Sequence, residues 1–598
     1  MNTTNRTPDP ATRRRIVGGD LVGSNERDGT HAWRGIRYAA APVGPLRWRA
    51  PQAPQPWAGS FEALQHGPIA PQYAGLLAPV PPSQYGQIIG DEDCLSLNVF
   101  APAWSPESVP QGSARRPVMV WIHGGANAVG TSATYDVARN LAAHDGVIVV
   151  TVNYRLGVLG WFTHPALQQQ EGVTPEERSG NFGALDLIAA LRWVQDNIAA
   201  FGGDPGCVTI FGESAGGQQV LMLLASPLAA RLFHRAIAQS PVCESFSLDE
   251  VVHGIDSPLE SRRCGSLEIS SRLWAAAGRV TTAAAARADL QHEDPLRVAE
   301  FLRSLTPAQL LAVHVPGSVG IYLAPRPARD GVVLPTAPLP EVFASGQWNR
   351  VPVILGSNRD EYRTFLADKP EHSRLLFGKL PLLHDRAAYI AESTALSRAW
   401  RALHVDEPAH AMLAGGHGEV WTYRFDWDEA PAVPFVRPDI LLGAAHAMEM
   451  PFVFRDSRGE FDIFKVNTPF NRAGRQQLAQ AMGGAWTSFA RDGLPTLPGA
   501  MRWQRRGPQE SADSLVFDTE RDGGLHPATL RNTLQALKSE LMEGRGELPE
   551  ALRARIFARV FLWSPLFAGH GTEAEYGQVR ARFGGPESAS AHRPRAEI

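Results

Sequence analysis

The stretch TIFGESAGGQQVLMLL, residues 209–224, sets Ser214 between glycines, with Glu213 before it and small residues after it. A serine hydroxyl can attack a carbonyl if it has a base, an acid to orient that base, and donors for the developing oxyanion. A bare Gly-x-Ser-x-Gly is cheap in a chain with 56 glycines, so its surroundings must decide. CVTIF, 207–211, reads as a strand, and AGGQQVLMLLAS, 215–226, reads as a buried helix apolar nearly all round. Gly212, Ser214 and Gly216 then fall on a tight strand-to-helix turn, where crowding backbones demand small neighbours. The turn places Oγ over a helix N-terminus, beside N–H groups with no acceptor inside the helix.

The partners must come from elsewhere in the chain. VWIHGGANAVG, 120–130, follows a strand, and Gly124, Gly125 and Ala126 can expose consecutive N–H groups there; Ala215 adds another. VPVILGSNRDEYRTF, 351–365, supplies Asp360 and Glu361 just past a strand end, and position alone does not separate these two acids. Nine histidines follow Glu361: His372, His384, His404, His410, His417, His446, His526, His570 and His592. The order serine, acid, histidine admits them all. His446 stands out because GAAHAMEMPFVF, 443–454, has small residues around it.

The elements that must hold these residues form an α/β pattern. Short continuous apolar runs recur as PVMVWI (117–122), GVIVVTV (146–152), CVTIF (207–211), RAIAQ (235–239) and VPVILG (351–356). Continuous runs suit strands covered on both faces, as in a mostly parallel sheet flanked by helices. Between two of them, Leu187, Leu191, Val194 and Ile198 step by four, three and four, which gives one buried helical stripe. About 245–345 and 364–420 are Ala/Arg/Leu-rich helical stretches without strand runs, read as helical insertions at the edge where open α/β sheets bind ligands. Residues 1–15 are expected to form a disordered arm, 16–568 a single catalytic domain, and 569–598 a disordered tail. Residues 73–90 read as a flap.

Composition narrows the function. A net charge of −4 over 598 residues, with no basic stripe among aromatics, argues against nucleic acid. No window holds the ~18 apolar residues a membrane span needs, and the N-terminal arginines precede no apolar stretch. Cys94, Cys207, Cys243 and Cys264 lack metal-ligand spacing and read as reduced thiols of a cytoplasmic protein, with a Cys243–Cys264 bridge left open. No metal or organic cofactor is required.

Longer motifs carry a resemblance. WRGIRYAAAPVGPLRWRAPQAPQPW (33–57), EDCLSLNVF (92–100) and the segment 180–217 ending in FGESAGG occur in the order found in the type-B carboxylesterase/lipase family. The chain resembles that family over about residues 16–565. The resemblance implies the α/β-hydrolase fold, with helical insertions around an active-site gorge, and hydrolysis of small-molecule carboxylic esters through an acyl-enzyme. It implies Ser214 as nucleophile, Glu361 rather than Asp360 as acid, and His446 as base. Gly125, Ala126 and Ala215 become the oxyanion hole, and Glu213, Ser240 and Glu449 supporting residues.

Departures from the family pattern also carry information. Ala70 stands where the family has a cysteine, so Cys94 lacks that partner. Tyr362 replaces a glycine after the acid. Asn127 replaces an aromatic, which makes that wall of the pocket more polar, and Phe365 falls where the family lines its acyl pocket. No tryptophan lies between Trp57 and Cys94, which argues against choline esters. Lipase, amidase or carbamate hydrolase activity with the same triad is the alternative expectation; a non-catalytic cholinesterase-like binding protein is a remote one. A monomer or homodimer is expected.

Overall fold

Each of the five continuous apolar runs forms a strand over all or most of its length, and burial along each is continuous after at most its first two residues. The structure, a computed structural model, describes residues 6–254, 264–317, 319–376, 380–432, 436–456, 458–462, 465–507, 513–546, 548–564, 566–567 and 569–593. The chain divides into two units, Met1–Ala238 with Glu244–Val353 and Gly483–Thr496, and Gln239–Cys243 with Ile354–Met482 and Leu497–Ile598.

In the first unit the sheet strands are β1 (Ser24–Asn25), β2 (Thr30–Arg37), β3 (Ser96–Pro102), β4 (Arg116–Ile122), β5 (Ile148–Val152), β6 (Gly203–Glu213) and β7 (Arg235–Gln239, its last residue in the second unit). They lie in the order β7, β6, β4, β5, β3, β2, β1. β6 and β5 both run parallel to β4, with Gly212 and Val152 each opposite Ile122. The pairs β5–β3, β3–β2 and β2–β1 are antiparallel. The sheet is therefore parallel at its centre, where every residue of β5 is buried, and antiparallel toward its edge. Because the register aligns the ends of β4 and β6, the loops that leave them emerge side by side.

Helix α1 (Phe182–Asn197) buries the expected stripe of Leu187, Leu191 and Val194, and Ile198 follows in a 3₁₀ turn that continues it. On the same helix Asp186 is fully buried and takes a bidentate pair from the Arg155 guanidinium at 2.7 and 2.8 Å. That pair ties the segment after β5 to α1. Helix α2 (Ala215–Ala225) is buried along its whole length, as its all-round apolar pattern requires.

In the second unit, β8 (Val353–Asn358, its first residue in the first unit), β9 (Val420–Phe425), β10 (Ser514–Phe517) and β11 (His526–Ala528) lie in the order β11, β10, β9, β8. β9 and β10 are parallel, and β11 closes that edge antiparallel.

Several expectations need correction. The stretch 245–345 holds helices such as Ser266–Ala276 and Pro295–Ser304, but 364–420 also carries an antiparallel pair, Ser373–Leu376 with Leu380–Leu383. Only Ser373 of that pair is buried, so it leaves no buried apolar run to read. The N-terminal arm is ordered in its described part. Asp9 caps a turn at Pro10–Thr12, and Arg14–Ile16 pairs with Gly19–Val22. Arg14 lies over the Trp33 ring at 5.0 Å and donates to the Trp104 carbonyl, so its charge is engaged rather than solvated. The tail carries a helix, Glu573–Phe583, started by a Thr572–Glu575 capping box that buries Tyr576 and Val579. Residues 1–5 and 594–598 lie outside the described residues. None of the four cysteines, Cys243 and Cys264 included, is joined in a disulfide among the described residues. Among the described residues no helix is long and apolar enough to cross a membrane.

Candidate active site

The candidate residues fall into two separate groups, one in each unit. In the first, Ser214 caps α2 with φ 59° and ψ −121°, a conformation that L-residues rarely hold. Such strain, about 1–3 kcal/mol, persists only where the neighbourhood dictates it. Here the two flanking glycines do so. A Cβ on Gly212 would meet the Gly216 backbone at 2.6 Å, and a Cβ on Gly216 would lie 2.0 Å from the Ile122 carbonyl oxygen. The first intrahelical bond at the Ser214 end runs from Gln218 N–H to the Ser214 carbonyl, 2.9 Å. The N–H groups of the preceding turn, Ala215 first, have no intrahelical acceptor and confer the positive end of the helix dipole.

The loop after β4 crosses directly over this turn. A Cβ on Gly124 would meet the Glu213 carbonyl at 2.7 Å and the Ser214 Cβ at 3.1 Å. Gly125, Ala126 and Asn127 follow with φ of 106°, 55° and 57°. The Gly125 carbonyl accepts from both Ala128 and Val129 N–H at 3.0 Å, which closes a compact turn. His123 is buried below it, stacked on Tyr154 at 4.6 Å, with Nδ1 donating to the Gly124 carbonyl. Burial holds its pKa down to about 4, so the ring is a neutral prop for the loop. Asn127, expected in the pocket wall, is buried, with its amide bonded to Gln218 and Gln219.

The segment 73–90, expected to be a flap, is anchored within this unit. Gln72–Tyr73 pairs with Ile88–Ile89, and Tyr73, Leu77 and Ile88 join a cluster with Val129, Leu311 and Tyr322.

In the second unit, Glu361 is fully buried and both oxygens of its carboxylate are engaged. Oε2 accepts from His446 Nδ1 at 2.6 Å, while Oε1 accepts from the Ser240 hydroxyl and the Asn358 N–H, each at 2.6 Å. Because Nδ1 serves as the donor, the neutral imidazole must present Nε2 as its basic nitrogen. Asp360 faces other partners. It pairs with Arg359 and Arg363, each at 3.0 Å, and accepts the Ala444 N–H at 3.1 Å. Of the two acids only Glu361 meets His446.

Glu449, fully buried, lies one layer behind. Its oxygens accept from Gln239 at 3.1 Å and from the Asn358 amide at 2.7 Å. Burial first, and then the charge of Glu361, push its pKa up. Asn358 therefore links the two carboxylates, a role that nothing in the sequence pattern signalled. Phe365 and Trp400 both approach the His446 ring, with centroids at 5.2 and 5.0 Å. Phe365 thus packs on the imidazole. Trp400, on the helix Arg386–Arg401, was not legible from the sequence. Tyr362 takes up the space a glycine would leave, its ring packed beside Trp400 and Phe567 and its hydroxyl 3.0 Å from Ser564 Oγ. Among the described residues no cluster of three or more His, Cys, Asp or Glu side chains could hold a metal ion.

Comparison with known proteins shows the family. A model described as the carboxylesterase family matches residues 11–376. The para-nitrobenzyl esterase of Bacillus subtilis is 33% identical over 84% of this chain and 94% of its own length. The fumonisin B1 esterase of Sphingopyxis macrogoltabida is 32% identical, covering 86% of this chain and 89% of its own. Among solved structures, a Geobacillus stearothermophilus carboxylesterase superposes with a TM-score of 0.62 at 31% identity, over 86% of this chain and 97% of its own.

Proposed function

The chain belongs to the carboxylesterase family, and from that premise we propose that Ser214, Glu361 and His446 act as its catalytic triad. The protein is a carboxylic ester hydrolase of the α/β-hydrolase fold. The observation that carries the assignment of roles is the 2.6 Å bond from His446 Nδ1 to a fully buried Glu361 carboxylate. A carboxylate so placed fixes the tautomer and stabilises the imidazolium without taking the proton itself. His446 Nε2 accepts the Ser214 proton as Oγ attacks the ester carbonyl. The oxyanion collects against the N–H groups of Gly125, Ala126 and Ala215. His446 returns the proton to the leaving alcohol, and an activated water then releases the acid from the acyl-enzyme.

Glu213 stands beside the nucleophile. Ser240 and Glu449 act through the acid and the histidine loop, as their hydrogen bonds suggest. The substrates are small-molecule esters, and the relatives named for para-nitrobenzyl esters and for fumonisin B1 support that range. Four cysteines outside any disulfide support a reducing, cytoplasmic setting, in which the protein works as a monomer or homodimer. Hydrolysis of p-nitrophenyl acetate tests the assignment. Ser214→Ala is expected to lower kcat by about 10⁴-fold or more, and unchanged turnover would sink it.

A further inference from the structure

Asn127 holds both polar atoms of its side chain in bonds to two consecutive residues of the helix that Ser214 caps. Nδ2 donates to Gln218 Oε1 at 2.8 Å, and Oδ1 accepts from Gln219 Nε2 at 2.9 Å. The Asn127 carbonyl accepts the Gly157 N–H at 2.6 Å, and Gln218 passes its own amide on to the Glu244 carbonyl at 2.9 Å. Asn127 is only 5% exposed, so these amides have no water to fall back on.

The backbone here needs such a grip. Ala126 at φ 55° and Asn127 at φ 57° are successive left-handed residues. That conformation is strained for an alanine, whereas asparagine tolerates it. A strained loop keeps one shape only when its surroundings over-determine it. Two of the three N–H groups assigned to the oxyanion belong to Gly125 and Ala126, immediately before the gripping residue. Donors of this kind work at 2.7–3.1 Å from the oxyanion, and a displacement of about 1 Å costs on the order of 10²-fold.

We propose that Asn127 is a positioning residue that locks the oxyanion loop onto helix α2 through Gln218 and Gln219, rather than a wall of the substrate pocket. The inference rests on the triad reading above. Gln218 and Gln219 are its working partners, so the loop's donors and the nucleophile turn are held as one body.

The test uses the full chain with Asn127→Leu, Asn127→Asp, Gln219→Leu and the double variant Asn127→Leu/Gln219→Leu. First, a fluorophosphonate probe is mapped by mass spectrometry in the parent enzyme; a label away from Ser214 would refute the triad reading itself. Then kcat and KM on p-nitrophenyl acetate and butyrate, the Ki of a trifluoromethyl ketone, and Tm are compared. The expected result is a kcat loss of about 10- to 100-fold with KM within twofold on both esters. Ketone affinity should fall in parallel, because its adduct oxygen sits at the oxyanion position, and the double variant should be no worse than either single. Asn127→Asp keeps the size and one acceptor but cannot donate to Gln218, so it reads the same loss if leucine impairs folding. A change confined to KM that depends on acyl length, with ketone affinity intact, would overturn the proposal. So would additive losses in the double variant.

Discussion

Asp360 and Glu361 are neighbours with different company, and what each touches sets what each substitution should do. Glu361 accepts from His446, Ser240 and Asn358 within a fully buried pocket, so Glu361→Gln leaves the packing nearly intact but removes the charge that steadies the imidazolium. A comparable change of the orienting acid to its amide costs about 10⁴-fold in kcat in a serine protease, and a loss of that order is expected on a p-nitrophenyl ester. Asp360 instead joins Arg359, Arg363 and the Ala444 N–H, so Asp360→Asn should chiefly lower stability. Urea unfolding should register a loss of about 1–3 kcal/mol from weakening a buried charge-assisted cluster, with kcat changed by less than tenfold. The reverse ranking of the two variants in kcat would exchange their roles.

At the scale of elements, the elbow exists because a strand end and a helix approach each other more closely than side chains allow. Gly216→Ala would put a methyl 2.0 Å from the Ile122 carbonyl oxygen and 2.9 Å from that of His123. Both are backbone atoms at the end of β4, so α2 has to move. The expectation is a stability loss of about 1–3 kcal/mol by thermal or urea unfolding, together with a kcat loss larger than that stability change explains. Full activity in Gly216→Ala would mean that the turn tolerates displacement. This geometry was legible in advance, because small residues between a β-branched run and an apolar helix permit few other arrangements. The five central strands were legible for the same reason, since both faces of each are covered and no polar alternation interrupts them. The pairing of Glu361 with His446 was not legible, because it joins residues 85 positions apart and two adjacent acids fit equally well. Trp400 and Asn358 escaped notice because their roles arise from packing, and no local pattern encodes which ring a tryptophan will face. The partners of Asn127 were not legible for a related reason, since its side-chain amide is satisfied by Gln218 and Gln219 on the apolar helix itself.

Across the whole molecule, buried histidines make the fold acid-sensitive in a defined window. His164 and His404 each use Nδ1 as an acceptor, His164 from the Ala166 N–H at 3.2 Å and His404 from the Cys243 N–H at 3.1 Å. A protonated ring cannot accept, and both rings are buried. Burial accordingly lowers the pKa of His164 to about 4 and that of His404 to about 3. An unfolded histidine takes up its proton near pH 6.5. Between that pH and the folded value, the unfolded chain binds more protons at each site, so acid favours unfolding. Stability from these groups is complete above about pH 6.5 and is lost as pH falls toward 4, at up to about 1.4 kcal/mol per pH unit for each ring. His164→Asn and His404→Gln keep an acceptor for the backbone N–H but cannot titrate. Urea midpoints measured from pH 7 to pH 4.5 should therefore fall less steeply in each variant than in the parent, and less steeply still in the double variant. The two sites lie in different units and share no partner, so the two effects should add. Identical slopes in parent and variants would show that these rings already accept protons in the folded state.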